Sequence, residues 1–149
     1  ERGGFPVIVT STERRDFNEK GELQHTLGDF PNAATLVARE LHVPLVDLNA
    51  MTRLFYLALG VEGSKKAFVH YPANTFINQD EPLKDNTHFN TYGAYEISKM
   101  VVQAIKDQHL PLGKDIEDFK KFSPTAPDSP DRWNWLPSIK NEIEKPDGS

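Results

Sequence analysis

Asp85 and His88 are separated by two residues, and a helix-start signal follows at Asn90. A histidine working as general base needs one ring nitrogen free and the other held by an acceptor, which sets its tautomer and steadies the imidazolium. An aspartate three residues earlier can supply that acceptor from within one turn of chain. The same spacing also suits a plain turn, in which Asp85 takes a backbone N–H and His88 stands in water. Spacing alone leaves both open. Asn90 is a good N-cap, since its side chain can accept a hydrogen bond from an unpaired N–H of the first turn. Behind it Ala94, Ile97, Val101, Ala104 and Ile105 recur at helical spacing, which predicts a helix over 90–107 with one buried face. His88 is thus expected on a short loop directly in front of an anchored helix.

Other chemistries have weaker carriers. No His-x-His, His-Glu-x-x-His or calcium-loop pattern occurs, and two residues such as Asp85 and His88 do not make a metal site. Gly3-Gly4 does not extend into a phosphate-binding loop. No pair stands out among the 22 acids as a glycosidase couple. Arg14 and Arg15 lie in a predicted loop and are candidates for substrate contact, with simple solvation as the alternative. His42, at a helix exit, reads as structural. Trp133 and Trp135 can pack on the domain, stack on a sugar face or meet a partner, and packing is favoured because Trp buries so much apolar area.

With 149 residues the chain is long enough for one domain with a real core. Apolar content of 38% and charged content of 26% are those of an ordinary globular chain. A net charge of −5 argues against a nucleic-acid surface or an anionic membrane as partner. No apolar run approaches the length of a membrane span. The absence of cysteine excludes disulfides, a thiol nucleophile and Cys-ligated zinc.

Taken in order, Phe5–Thr10 is an apolar, β-branched run expected as a strand buried on both faces. Ser11–Leu27 reads as a long surface loop. Asp29 should start a helix with Pro31 in its first turn and Ala33, Val37 and Leu41 as its buried stripe. Val43–Leu48 is a second buried strand, so the first two strands and their helix make a parallel βαβ unit. Asn49 is expected to cap a helix whose face is Met51, Leu54, Phe55, Ala58 and Leu59 and which ends at Gly60. A short helix over 62–68 and an irregular stretch over 69–84 follow. Past residue 107, Leu110-Pro111-Leu112-Gly113 breaks the pattern, 115–122 suits a short amphipathic helix, and 123–130 is Pro- and Ser-rich. The last residues, from Glu142, look frayed.

The block Asp85-x-x-His88-Phe89-Asn90 before a C-terminal helix resembles the last sequence block of the SGNH (GDSL-type) hydrolases. Pro6–Thr10, Arg14-Arg15, Gly28-Asp29-Phe30-Pro31, Val43–Leu48, Gly63-Ser64-Lys65-Lys66 and Gly93-Ala94-Tyr95-Glu96 are similar to the rhamnogalacturonan acetylesterase branch. The likeness runs from about Phe5 to about Leu112. It implies a three-layer α/β/α, flavodoxin-like fold with a parallel sheet, of which residues 1–112 form the C-terminal half and 113–149 an extension. The family's Gly-Asp-Ser nucleophile block and its oxyanion-hole Gly and Asn have no counterpart here, and none of the serines follows Gly-Asp.

The resemblance therefore implies an acetylesterase acting on a pectic glycan of rhamnogalacturonan type. His88 would be its base and Asp85 the orienting acid, with the serine on an N-terminal half expected as partner. No cofactor or metal is required by that chemistry. An extracellular or periplasmic parent is implied by the resemblance only. A non-catalytic carbohydrate-binding module and one subunit of a split esterase are the alternatives. Two strands leave a sheet edge unpaired, so the chain alone is expected to dimerise, swap or aggregate.

Overall fold

The computed structural model describes residues 3–133. The chain folds as β1 (Ile8–Val9), α1 (Phe30–Glu40), β2 (Leu45–Val46), α2 (Leu48–Lys65), β3 (Phe68–Tyr71), β4 (Leu83–Phe89) and α3 (Thr91–Asp107), followed by 3-10 turns at Pro111–Lys114 and Pro130–Arg132. The fold is mixed α/β. β1 and β2 pair in parallel, Ile8 with Leu45 and Val9 with Val46, and α1 is the crossover between them. That is the expected βαβ unit, with strands of only two residues each. No helix among the described residues is long and apolar enough to cross a membrane.

The core gathers where α2, β3 and α3 meet. Phe55, Tyr56, Phe68 and Tyr92 are almost fully enclosed, with ring centroids 5.7 Å apart for Phe55–Tyr56 and 5.5 Å for Tyr56–Phe68. Phe89 joins at 4.7 Å from Phe68. Aromatic pairs at these separations add to the burial of their area.

The faces that the helices bury coincide only in part with the expected ones. On α1 the small residues Pro31 and Ala38 are buried, whereas Ala33, Val37 and Leu41 are exposed. Small residues let the helix lie close on the strands, and the larger apolar ones point away. On α2, Leu54 and Ala58 are exposed, Met51 and Leu59 half-buried, and Thr52, Phe55 and Tyr56 innermost. Thr52 is tolerated there because its hydroxyl donates to the Leu48 carbonyl at 2.6 Å and accepts from the Glu13 N–H.

The cap of α2 is Asp47 rather than Asn49, with Asp47 accepting from the Ala50 N–H at 3.1 Å. Gly60 does interrupt this helix, at φ +71°, a left-handed value that glycine adopts without strain. A short helical piece then continues to Lys65.

On α3 the expected Ala104 and Ile105 are buried and Ile97 and Val101 pack half-buried against the core, but Tyr92, Gly93, Glu96, Met100 and Gln103 are buried as well and Ala94 is exposed. The difference arises because residues 115–133 fold back over α3. They form no amphipathic helix at 115–122. Their backbone is instead held by α3 side chains: Lys106 donates to the Ile116 carbonyl at 2.9 Å, and the Phe122 N–H donates to Gln103 at 2.7 Å. Trp133 packs as expected, 6.0 Å from the Tyr92 ring and 4.6 Å from that of Tyr95. Trp135 and the tail from Glu142 lie outside the described residues.

Candidate active site

Asp85 and His88 lie on β4, not on a plain loop, because residues 68–89 form an antiparallel hairpin where an irregular stretch was expected. The register explains how both descriptions arise. His70 pairs with Lys84 and Phe68 with Phe89, so two steps along β3 face five along β4. Three extra residues are looped out as a bulge, and Asp85–His88 fills it. Bulges re-aim side chains beside sites.

The loop is closed by Asp85 itself. Its Oδ1 accepts the N–H groups of Thr87 at 2.6 Å and His88 at 2.9 Å, and its Oδ2 meets His88 Nδ1 at 2.6 Å. The two backbone N–H groups and the imidazole hold the Asp85 carboxyl down to about 2. A carboxylate that is ionised can only accept, so the proton of this bond sits on His88 Nδ1. In the neutral imidazole Nε2 is then the nitrogen with a lone pair. No described residue hydrogen-bonds it, and the His88 side chain is 77% exposed. The turn reading and the acid–histidine reading are both realised, by different oxygens of one carboxylate.

The helix start behind the pair is built as expected. Asn90 caps α3 by accepting from the Gly93 N–H at 3.0 Å. It also donates from Nδ2 to the carbonyls of Lys66 and Phe68, at 2.7 and 3.0 Å. Gly93 passes so close to this segment that a Cβ would collide with the Ala67 carbonyl. The first turn of α3 is therefore locked onto the entry to β3.

Of the two arginines proposed for substrate contact, Arg14 is exposed and Arg15 is buried. Arg15 has all three guanidinium nitrogens engaged: Nε donates to Ser64 Oγ at 2.9 Å, Nη1 to Asn86 Oδ1 at 2.8 Å and Nη2 to the Val61 carbonyl. It cannot reach a glycan. The loop carrying it is not a solvated connection either, since the Glu13 N–H donates to Thr52 and Tyr56 donates to the Glu13 carbonyl.

A second acid–histidine pair, Glu13 with His25, escaped the sequence because its members are twelve residues apart. No local spacing signals it. Among the described residues no group of three His, Asp or Glu could hold a metal. A concavity of about 700 Å³ lies between Tyr95, Lys99 and the 118–128 segment, and neither Asp85 nor His88 lines it. The pair sits on open surface instead.

Comparison with known proteins agrees with the sequence blocks. Over 112 residues, 75% of this chain, 46% are identical to the rhamnogalacturonan acetylesterase RhgT of Bacillus subtilis, 48% of whose length is covered. The chain is rhamnogalacturonan acetylesterase-like. A second protein of the same organism, the probable rhamnogalacturonan acetylesterase YesY, is 30% identical over 116 residues, 78% of this chain and 49% of its own. The chain spans about half the length of the curated relatives it matches. No protein-family model matches it, and no solved structure matches it significantly.

Proposed function

We propose that this chain supplies the base and its orienting acid to a carbohydrate esterase that removes acetyl groups from a rhamnogalacturonan-type glycan. The observation that carries the reading is the Asp85–His88 pair, with Nδ1 tied to an ionised carboxylate and Nε2 open to solvent. In this mechanism a serine on the part of the protein outside these 149 residues attacks the acetyl carbonyl. His88 Nε2 takes the serine proton, and Asp85 steadies the imidazolium that results. His88 then returns that proton to the departing sugar oxygen, leaving an acetyl-serine. In the second half His88 takes a proton from water, the hydroxide releases acetate, and the proton goes back to the serine.

The same reading accounts for the apolar surface. Phe5 and Val7 before β1 and Val9 within it are 60%, 37% and 49% exposed, and Leu41, just past α1, is 64% exposed. An apolar trough of about 310 Å³ runs beside β1 to Val101 and Leu110. A serine-bearing N-terminal half would extend the sheet from β1 and cover these residues, placing its nucleophile against the open side of His88. Without it, two copies would cover each other. Export of the parent, to reach a pectic polymer, belongs to this proposal too.

Acetate release from acetylated rhamnogalacturonan by the intact protein tests the reading, beside the 149-residue chain alone. The intact protein should turn over, and the chain alone should match buffer and self-associate in light scattering. Robust hydrolysis by the chain alone, abolished in Ser11→Ala, would contradict the missing-serine mechanism. Binding of the glycan by the intact protein without acetate release would favour the non-catalytic module. That module has lost one aromatic as a free platform, since Trp133 packs on Tyr92 and Tyr95.

A further inference from the structure

We propose that Arg15 and Asn86 are positioning residues that fix the Asp85–His88 bulge against the body of the protein. The role rests on the esterase reading above. Asn86 lies inside the bulge, between the acid and the base. Its Oδ1 accepts from Arg15 Nη1 at 2.8 Å and from His70 Nε2 at 2.8 Å. The bonds that Asp85 makes to Thr87 and His88 close the turn on itself. They leave undetermined where the turn sits relative to everything else. Within the bulge itself, the Asn86 side chain is the group that reaches outward to both the loop and the neighbouring strand.

Arg15 is suited to hold it. The residue is 5% exposed, and its guanidinium stands 5.5 Å over the Phe17 ring. Two of its arms end on Ser64 and Val61, in the helical piece after the Gly60 break. The third spans to Asn86, 71 residues along the chain. A planar fork can address three acceptors at fixed angles, which an ammonium cannot. Its three hydrogen-bond acceptors are all neutral, and the Glu62 carboxylate compensates its charge only from beyond ion-pair distance, an unfavourable arrangement for a mere surface tie. Its one contact with the bulge falls between the two residues that need orienting. Holding a base within a fraction of an ångström of its partner matters because a 1 Å misplacement can lower turnover on the order of 10²-fold.

The test uses Asn86→Ala, an exposed position whose loss leaves the other two Arg15 anchors intact, and Arg15→Lys, both in the intact protein. Two readouts are taken: kcat and KM on an aryl acetate, and the low-field proton resonance of His88 Nδ1–H. Both variants should lower kcat by about 10- to 100-fold with little change in KM, and should weaken or shift that resonance. Asn86→Ala should keep the wild-type melting temperature, and Arg15→Lys should lower it as well. An Asn86→Ala protein with wild-type kcat and an unmoved resonance would overturn the proposal. So would a rise in KM at constant kcat, which would make Asn86 a substrate contact. The proton resonance reports the pair's geometry whether or not the protein hydrolyses esters, so a failed esterase reading and a failed positioning role are told apart.

Discussion

Among the described residues two histidines are bonded through Nδ1 to a carboxylate, and their second nitrogens meet opposite surroundings. Glu13 is buried, and its Oε2 lies 2.7 Å from His25 Nδ1 and 3.8 Å from Arg53. The other nitrogen of His25 meets the Gly28 carbonyl at 3.0 Å. A ring facing an acceptor on each side satisfies both only by donating twice, which is the imidazolium. The bond to Glu13, helped by that to Gly28, accordingly raises the His25 pKa. Asp85 is the more exposed acid, and His88 Nε2 meets no acceptor among the described residues. A carboxylate beside a histidine therefore does not distinguish a clamp from a base. The partner of the second nitrogen does.

The largest effect expected from this contrast is at His88. His88→Ala in the intact protein should lower kcat by about 10²–10⁴-fold with little change in KM, because the lost proton transfers occur only on the way to the transition state. Asp85→Asn should come next, comparable or milder, since the imidazole survives without its tautomer control and countercharge. Parallel kinetics and melting curves check both, and a loss confined to melting temperature would reduce the pair to a turn.

Glu13→Gln should do the reverse. Removing this part-buried, charge-assisted bond should lower the midpoint of a denaturant titration, with turnover per folded molecule close to wild type. A Glu13→Gln protein of wild-type stability would erase the difference between the two pairs.

The smallest effects are in pH. The Asp85 carboxyl lies below its ordinary 3.8, at about 2. Its contribution to the bulge is present above 3.8 and is lost as pH falls from there toward 2. His25 lies above its ordinary 6.5. Its clamp is fully formed below 6.5 and is lost as pH rises through the raised value. Carboxyl and imidazole NMR titrations should show the Asp85 turn failing only in strong acid and the His25 clamp loosening on the alkaline side.

What the sequence disclosed follows from range. Asp85, His88, Asn90 and the α3 start are local, so spacing and cap chemistry suffice to find them. β1, α1 and β2 follow from apolar runs and a helix start. The buried faces were legible only in part because the covering segments are distant: the 115–133 return buries Glu96 and Gln103, and the loop over 11–27 buries Thr52. β4 was hidden because its sequence is polar and a bulge breaks its alternation. Arg15 looked like a solvated charge because its acceptors lie 46, 49 and 71 residues away.

The central claim, that His88 offers a lone pair at Nε2 where His25 does not, is tested most directly by ¹⁵N NMR of both imidazoles across pH. In its neutral form His88 should carry its proton on Nδ1 and none on Nε2. Both nitrogens of His25 should stay protonated above its ordinary 6.5. A bare Nδ1 on neutral His88, or a His25 that loses a ring proton at or below 6.5, would contradict the account.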